Sequence, residues 1–378
     1  MDDKFVKSMV GRESSHIAGF IAIHADAAFL NGAGTGSGED KNVTTVKRYF
    51  RGKTIPYVSS QAFRRWWRNT AVQNSGWEAS PLEVALRNAK GNPSKIATRL
   101  DPIIHAEDDI FGYMFALKEE EQKKLKKLRK EGKIEDKTIK LEREGLPIIP
   151  IRRTSPLRTN LLRGVPELTY MARDEGYVHL KDDNPLPYTT QFYSADMISS
   201  FGLDLYRLGV FEKQGKAFVE LNPDLKAKHK DKVEEKLHPY QKNGEIVVMK
   251  DLIAVQNKRA VELIKALTTL SGGAKMAQFG TDVTPRLFVL AGMSRPLMIF
   301  DDLLREDGGK PSLNVPLLKE LIADFGPYIK TKVYIGLRES YLANQDEVRQ
   351  LHETTEGNVK IFVGTPQSIV DEFETELK

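Results

Sequence analysis

Two apolar segments that meet glycine turns constrain this chain most. The first, His16 to Leu30 (HIAGFIAIHADAAFL), runs into Asn31-Gly32-Ala33-Gly34-Thr35-Gly36-Ser37-Gly38, where four glycines fall in seven positions. Its alanines keep a helix open, but its length and loose alternation read as a first core strand. The second, Arg286 to Ala291, follows the turn Ser271-Gly272-Gly273-Ala274-Lys275-Met276-Ala277-Gln278-Phe279-Gly280, which itself ends an apolar-periodic stretch predicted to be helical from Asp251 to Leu270. Strand, glycine loop, helix is thus followed by helix, glycine turn, strand. With a strand from Met197 to Phe211, a helix over Val315 to Phe325, a strand over Val359 to Val363 and a carboxy-terminal helix, the pattern predicts an α+β ferredoxin-like core with large insertions. No internal repeat is present, which argues against solenoids and propellers.

The 378 residues suffice for one elaborated domain or two. No apolar run approaches the roughly 20 residues that span a bilayer, and the amino-terminal MDDKFVKSMVGRESS has no apolar signal core, so we expect a cytoplasmic protein without a membrane partner. The absence of cysteine excludes disulfides, thiol nucleophiles and cysteine-based zinc sites. A net charge of +5 is too mild to imply a polyanion partner, but its distribution is informative. Lys41, Lys47, Arg48, Arg51, Lys53, Arg64, Arg65 and Arg68 occur in one stretch without a single acid.

Within that stretch lies IPYVSSQAFRRWWR, residues 55–68. Pro56 favours extended geometry before it, and Ser59 or Ser60 suits a helix cap, so a helix is predicted to about Gln73. At helical spacing Ser60, Arg64 and Arg68 share a face with Gln61 and Arg65 beside it, while Phe63 and Trp67 point elsewhere. The arrangement fits either a solvated arginine face over an aromatic anchor or an anion site at a capped helix start. Farther on, 118–145 carries eleven bases and eight acids with sparse Leu and Ile. It reads as an exposed helical insertion or a loop outside the core. Arg152, Arg153 and Arg158 flank a predicted strand, and Pro166, Gly176, Pro185 and Pro187 punctuate short extended pieces in a protruding hairpin.

Enzymatic signatures are poor. Gly272-Gly273-Ala274-Lys275 lacks the order of a nucleotide-hydrolysing phosphate loop and follows a helix, although such a loop can still hold a backbone phosphate. His105, Glu107, Asp108 and Asp109 have metal-ligating chemistry, but a polar turn leading into an aromatic segment explains them better. His16 and His24 read as structural, and Asp26 and Asp40 flank the first glycine loop without a recognisable motif. No metal, cofactor or catalytic residue is therefore predicted. Nucleic acid fits better: the basic segment offers phosphate ligands, and Tyr49, Phe50 and Tyr57 are possible base platforms, without the aromatic strand motif of an ordinary RNA-recognition domain.

The order HIAGFIAIHADAAFLNGAG, IPYVSSQAFRRWWR, AEDDIFGYMFA, PIRRTSPLRTNLL and SGGAKMAQFGTDVTPRLFVLAG, spread over residues 16–292, resembles the backbone subunit of CRISPR Cascade complexes. That is the Cas-seven family, in its DevR-like, type I-B branch. The resemblance implies a single hand-shaped domain over 1–378 with a modified RRM core, a finger or helical insertion near 76–150 and a thumb within 163–193. It implies copies stacked along one guide (CRISPR) RNA, holding its backbone and presenting its bases to a target DNA strand together with other Cascade subunits. Carried over, the RNA-contacting residues are Ser59, Ser60, Gln61, Arg64, Arg65, Arg68, Gly272, Gly273, Lys275, Met276 and Gln278; Asn31 at the first glycine loop and the basic Lys47, Arg48, Arg51, Arg152 and Arg153 are expected to join them. Met171 or Leu186 would be the thumb wedge. The charged segment 118–145 has no counterpart in the family. The alternative is a type III-like backbone subunit that cuts target RNA with metal through Asp26 or Asp40.

Overall fold

A computed structural model describes residues 13–36, 43–178, 186–214, 218–238 and 244–377. Contacts divide the chain into two units: residues 72–157 with 204–260, and residues 13–71 with 158–203 and 261–378. In the second unit, a twelve-stranded sheet among the described residues is built around the strand His16–Ala28. Its neighbour on one side is Leu287–Met293, paired antiparallel with His16 opposite Met293 and Ala22 opposite Leu287. On the other side lies Leu186–Asp204, followed by Leu162–Val178 and Lys53–Val58. Taken in chain order, the four central strands therefore lie fourth, first, third, second. A helix, Ser60–Ser75, follows the first strand, and another, Leu252–Thr268, precedes the fourth. In chain order these principal elements run strand, helix, strand, strand, helix, strand. The mixed α+β class expected from the two apolar segments is the class observed.

Alternation along His16–Ala28 separates two packed faces. Ala18, Phe20 and Ala22 join a cluster with Val289, Ala291, Leu318, Ile322 and Ile335, which covers one face with the helix Val315–Phe325. On the strand's other side, a Cβ on Gly19 would sit 2.1 Å from the Phe201 ring. Only glycine lets that ring lie flat on the strand. Phe201 in turn meets Trp67 edge-on at 5.1 Å and Phe288 at 6.2 Å. The two strands Leu162–Val178 and Leu186–Asp204 form a long antiparallel hairpin, with Met171 opposite Tyr193 and Val178 opposite Leu186. The strand expected from Met197 to Phe211 ends at Asp204 instead. A single 3-10 turn, Leu205–Arg207, and Gly209 at φ 69° break it before a new strand begins at Val210.

The first unit holds a four-stranded, a three-stranded and a two-stranded sheet. The charged segment belongs to it, and here the expectation of an insertion outside the core is corrected. Glu119–Glu131 is helical, and its Leu125 and Leu128, one turn apart, are buried with Ile139 and Leu141 among Ala85, Leu86 and Leu146. The few apolar residues in a charged run suffice to anchor it because they share one face. His105, Glu107, Asp108 and Asp109 are each committed separately. His105 Nδ1 meets the Glu78 carbonyl at 2.9 Å, Glu107 accepts from the Ser80 amide, and Asp108 accepts from Ser80 Oγ at 2.7 Å. Asp109 faces arginines. Among the described residues no group of three or more His, Asp or Glu side chains is placed to hold a metal ion. None of the described helices is long and apolar enough to cross a membrane.

His16 gives the fold a pH signature. It is 2% exposed, beside Ser15 Oγ at 2.7 Å, and burial is the main cause of a pKa lowered to about 3. The unfolded chain takes up this proton near pH 6.5 and the native chain does not, so stability falls as pH drops through that window. Urea unfolding of wild type and His16→Asn, compared at pH 7 and pH 5, should show the wild type losing about 2 kcal/mol more than the variant. Equal losses would show that His16 titrates alike in both states.

Candidate nucleic-acid interface

Three sequence-distant segments converge in the second unit. The Asn31 side-chain carbonyl accepts the Ser59 amide at 3.0 Å, and its backbone carbonyl accepts the Lys47 amide at 2.7 Å. Ser59 caps the arginine helix, its Oγ accepting from the Ala62 amide at 3.3 Å and its carbonyl from Phe63 at 2.9 Å. Ser60 is the first helical residue. The helix is fixed from below: Phe63, Trp66, Trp67 and Thr70 are buried, and the Trp67 indole donates to the Leu263 carbonyl at 2.6 Å. Both tryptophans are thus structural. Gln61 and Arg65 are left exposed, with Ser59, Ser60, Arg64 and Arg68 half-buried. Burial pulls the Arg64 pKa below its ordinary value, although a guanidinium keeps its proton at neutral pH.

The glycine-lysine turn rests on the same helix. The Ser271 amide donates to Thr70 Oγ1 at 3.2 Å, and the Ala274 amide to the Leu30 carbonyl at 3.0 Å. Trp66 lies directly beneath Gly272, where a Cβ would stand 2.1 Å from the indole. The turn can approach this closely only because residue 272 lacks a side chain. Lys275 takes a left-handed conformation, φ 50°, and is exposed. Its Nζ reaches Thr190 Oγ1 at 3.1 Å and stands 4.9 Å from the centre of the Phe29 ring. Phe279 stacks on Phe29 at 6.2 Å and lies 5.9 Å from Phe192, so the turn also leans on the long hairpin. Met276 is half-buried and Gln278 exposed.

Asn31, Lys47, Ser59, Ser60, Gln61, Arg64, Arg65, Arg68, Gly272, Gly273, Lys275, Met276 and Gln278 therefore belong to one assembly. Arg48 is tied to it through Gln191 Oε1 at 2.5 Å, which also accepts the Val46 amide. Arg51 lies apart, at the far end of the short hairpin Arg48–Arg51 with Lys53–Val58. Arg152 is exposed in the first unit. Arg153 is corrected: it is 2% exposed and bound by Asp109, by Glu220 at 2.8 Å and by the Val210 carbonyl at 2.6 Å. Arg259 Nη1 reaches the second Asp109 oxygen at 2.5 Å, so the arginine neutralises buried carboxylates and faces no solvent-side ligand. Met171 is half-buried, and the Leu186 side chain lies outside the described residues. Asp26 is exposed and accepts from Ser194 Oγ at 2.6 Å, whereas Asp40 is outside the described residues. Sequence reasoning missed Phe29, Thr190, Gln191, Phe192 and Phe279, whose contacts reach across most of the chain.

No protein-family model matches the chain, and no curated protein does either. Among solved structures, it is similar to a chain of a CRISPR RNA-guided surveillance complex in a pre-nicking state, with a TM-score of 0.51 at 10% identity, covering 96% of this chain and 100% of that one. Another chain, from a CRISPR RNA-guided surveillance complex, gives a TM-score of 0.49 at 11% identity and covers 95% and 98%. At 10% identity, the first likeness is one of fold.

Two substitutions separate the parts. Gly272→Ala should destabilise by about 1–3 kcal/mol through overpacking against Trp66, measured by chemical denaturation; an unchanged midpoint would mean the loop is not seated there. Arg153→Met leaves Asp109 and Glu220 without their main cation and should cost about 3–5 kcal/mol. A stable Arg153→Met protein whose only defect is a flatter salt dependence of RNA binding would return Arg153 to the RNA side.

Proposed function

We propose that this chain is a guide-RNA-binding backbone subunit of a Cascade surveillance complex of the type I-B kind, without catalytic activity of its own. Copies line one RNA, hold its sugar-phosphate backbone and leave its bases to pair with a target DNA strand alongside the other subunits. One observation carries the reading: three separate segments, 29–31, 59–70 and 271–278, are pinned together by backbone and side-chain hydrogen bonds, and the outward long polar groups of that junction, Gln61, Arg65, Lys275 and Gln278, are cationic or amide. Neither the arginine helix start nor the glycine-lysine turn contains an acid between Lys41 and Arg68 or between Ser271 and Gly280. Phosphate contacts position a strand without reading it, which suits a subunit that must accept any guide. The shared fold with a chain of an RNA-guided surveillance complex supports the same assignment.

Purified protein should carry nucleic acid of defined length sharing a repeat-derived end. Stripped of it, the protein should bind unrelated single-stranded RNAs with similar affinity. Arg65→Gln with Lys275→Gln, both exposed, should weaken all of them alike and lower the slope of log affinity against log salt by about 1.4, at roughly 0.7 per lost contact. Wild-type slopes in the double variant would overturn the proposed interface. Regular cleavage of target RNA in magnesium would overturn the non-catalytic assignment.

A further inference from the structure

The short hairpin Arg48–Arg51 with Lys53–Val58 grows directly out of the junction. The Lys47 amide is bonded to Asn31, and the Lys47 carbonyl accepts the Tyr57 amide at 2.9 Å. From there the ribbon runs about 13 Å to its turn at Gly52, φ 69°. Its register sets Tyr49 opposite Ile55 and Arg51 opposite Lys53. Since side chains alternate along a strand, Tyr49, Arg51, Lys53 and Tyr57 share one face, around the buried Ile55. The Tyr49 and Tyr57 rings are 6.0 Å apart. The long strand Leu162–Val178 runs alongside, pairing Arg163 with Tyr57, and brings Tyr170 to within 5.5 Å of Lys53 Nζ. Tyr170 is 64% exposed, and Phe50, on the opposite face near the turn, is 77% exposed.

Tyr49 and Tyr57 are half-buried beside Ile55, but Tyr170 and Phe50, each this exposed and both near the turn of the ribbon, mark a surface that meets something. The charge says what. Residues 43–58 contain Lys47, Arg48, Arg51 and Lys53 and no acid. Asp301 and Asp302 pair with Arg163, the residue opposite Tyr57, and the adjoining long strand carries its acids at Glu167, Asp174 and Glu175, outside the ribbon itself. Aromatic faces interleaved with cations are the chemistry that holds single-stranded nucleic acid, rings for the bases and cations for the phosphates. An apolar protein partner would not call for the cations, and a duplex would keep its bases out of reach of the rings.

We propose that this hairpin is a base-stacking platform for single-stranded nucleic acid, in which the exposed rings of Tyr170 and Phe50 stack on unpaired bases, one on each face of the ribbon, and Arg51 and Lys53 hold the adjoining phosphates. It deepens the function proposed above and rests on it. A strand whose backbone lies on the junction continues onto the ribbon, where successive bases are supported without being identified.

The test uses the full chain, a single-stranded RNA of mixed sequence carrying 2-aminopurine, and Phe50→Ala with Tyr170→Ala, which change exposed rings only. The probe should be quenched on binding wild type and lose that quenching in the double variant. Affinity should fall at least tenfold with the salt slope unchanged, and Phe50→Trp with Tyr170→Phe should restore both. Arg51→Gln with Lys53→Gln should do the reverse, lowering the slope by about 1.4 while keeping the quench. If the ring variant binds and quenches like wild type, the platform is wrong while RNA binding at the junction stands. If it also elutes as a smaller species, the rings serve copy-to-copy contact and the proposal is overturned in favour of that. A wild-type protein that binds no RNA at all ends both readings.

Discussion

The buried indole pair of the arginine helix is the constraint on which the rest of the candidate interface depends. Trp67 spends its one polar group on the Leu263 carbonyl and its faces on Phe63 and Phe201. Trp66, one residue earlier, presents the surface on which Gly272 sits. The first fixes the helix against the sheet and the second fixes the glycine-lysine turn against the helix. With the aromatic side of the helix held down, its remaining positions have one orientation available. That is why Gln61 and Arg65 face outward while Arg64 and Arg68 lie half-sunk at the border. A mobile helix with the same arginines would lose more side-chain and backbone freedom on meeting an anion.

How much of this was readable from the residues depends on the range over which each signal acts. The helix Val315–Phe325 was legible to the residue, because asparagine capping and a clean apolar period are local signals. The start of the arginine helix was legible too, although the sequence left Ser59 and Ser60 both open as its cap and the structure uses Ser59. The strand end at Asp204 was not, since apolar residues continue beyond it and only the turn at Gly209 divides them. The charged segment misled because composition counts residues, while burial depends on whether Leu125 and Leu128 fall on one side of a helix. Within the site, Asn31 was picked as a ligand-facing residue of a glycine loop, and its side chain turns out to brace Ser59. Thr190 and Gln191 carried no local mark at all. Their significance lies in partners 85 and 143 residues away along the chain.

Arg153 and Arg65 show why residue type alone could not separate structure from interface. Both stand in arginine-rich motifs beside a predicted element. Arg153 lies in a strand whose neighbours supply two buried carboxylates, and once Asp109 and Glu220 are inside, a cation must join them. Arg65 stands on a helix flank with no acid in the surrounding twenty-eight residues, 41–68. The sequence does contain the relevant distinction, but as the absence of acids nearby in one case and their presence 44 and 67 residues away in the other.

If the chain binds RNA as proposed, the two surfaces of the second unit divide the work of holding a strand by kind of force. The junction offers cations and a capped helix start, whose attraction for phosphate weakens as salt rises and is indifferent to sequence. The short hairpin offers aromatic faces, whose contribution survives salt and requires an unpaired base. The Asn31 side chain and the Lys47 amide tie the two together, through the Ser59 amide and the Asn31 carbonyl, at the point where the ribbon runs into the helix. On the proposed function, a strand held at both places keeps its bases unpaired over the ribbon. Where it leaves the rings, those bases are free to pair. On this reading the hairpin acts on spacing as much as on affinity, setting which nucleotides of a bound strand are occupied by protein and which are presented outward.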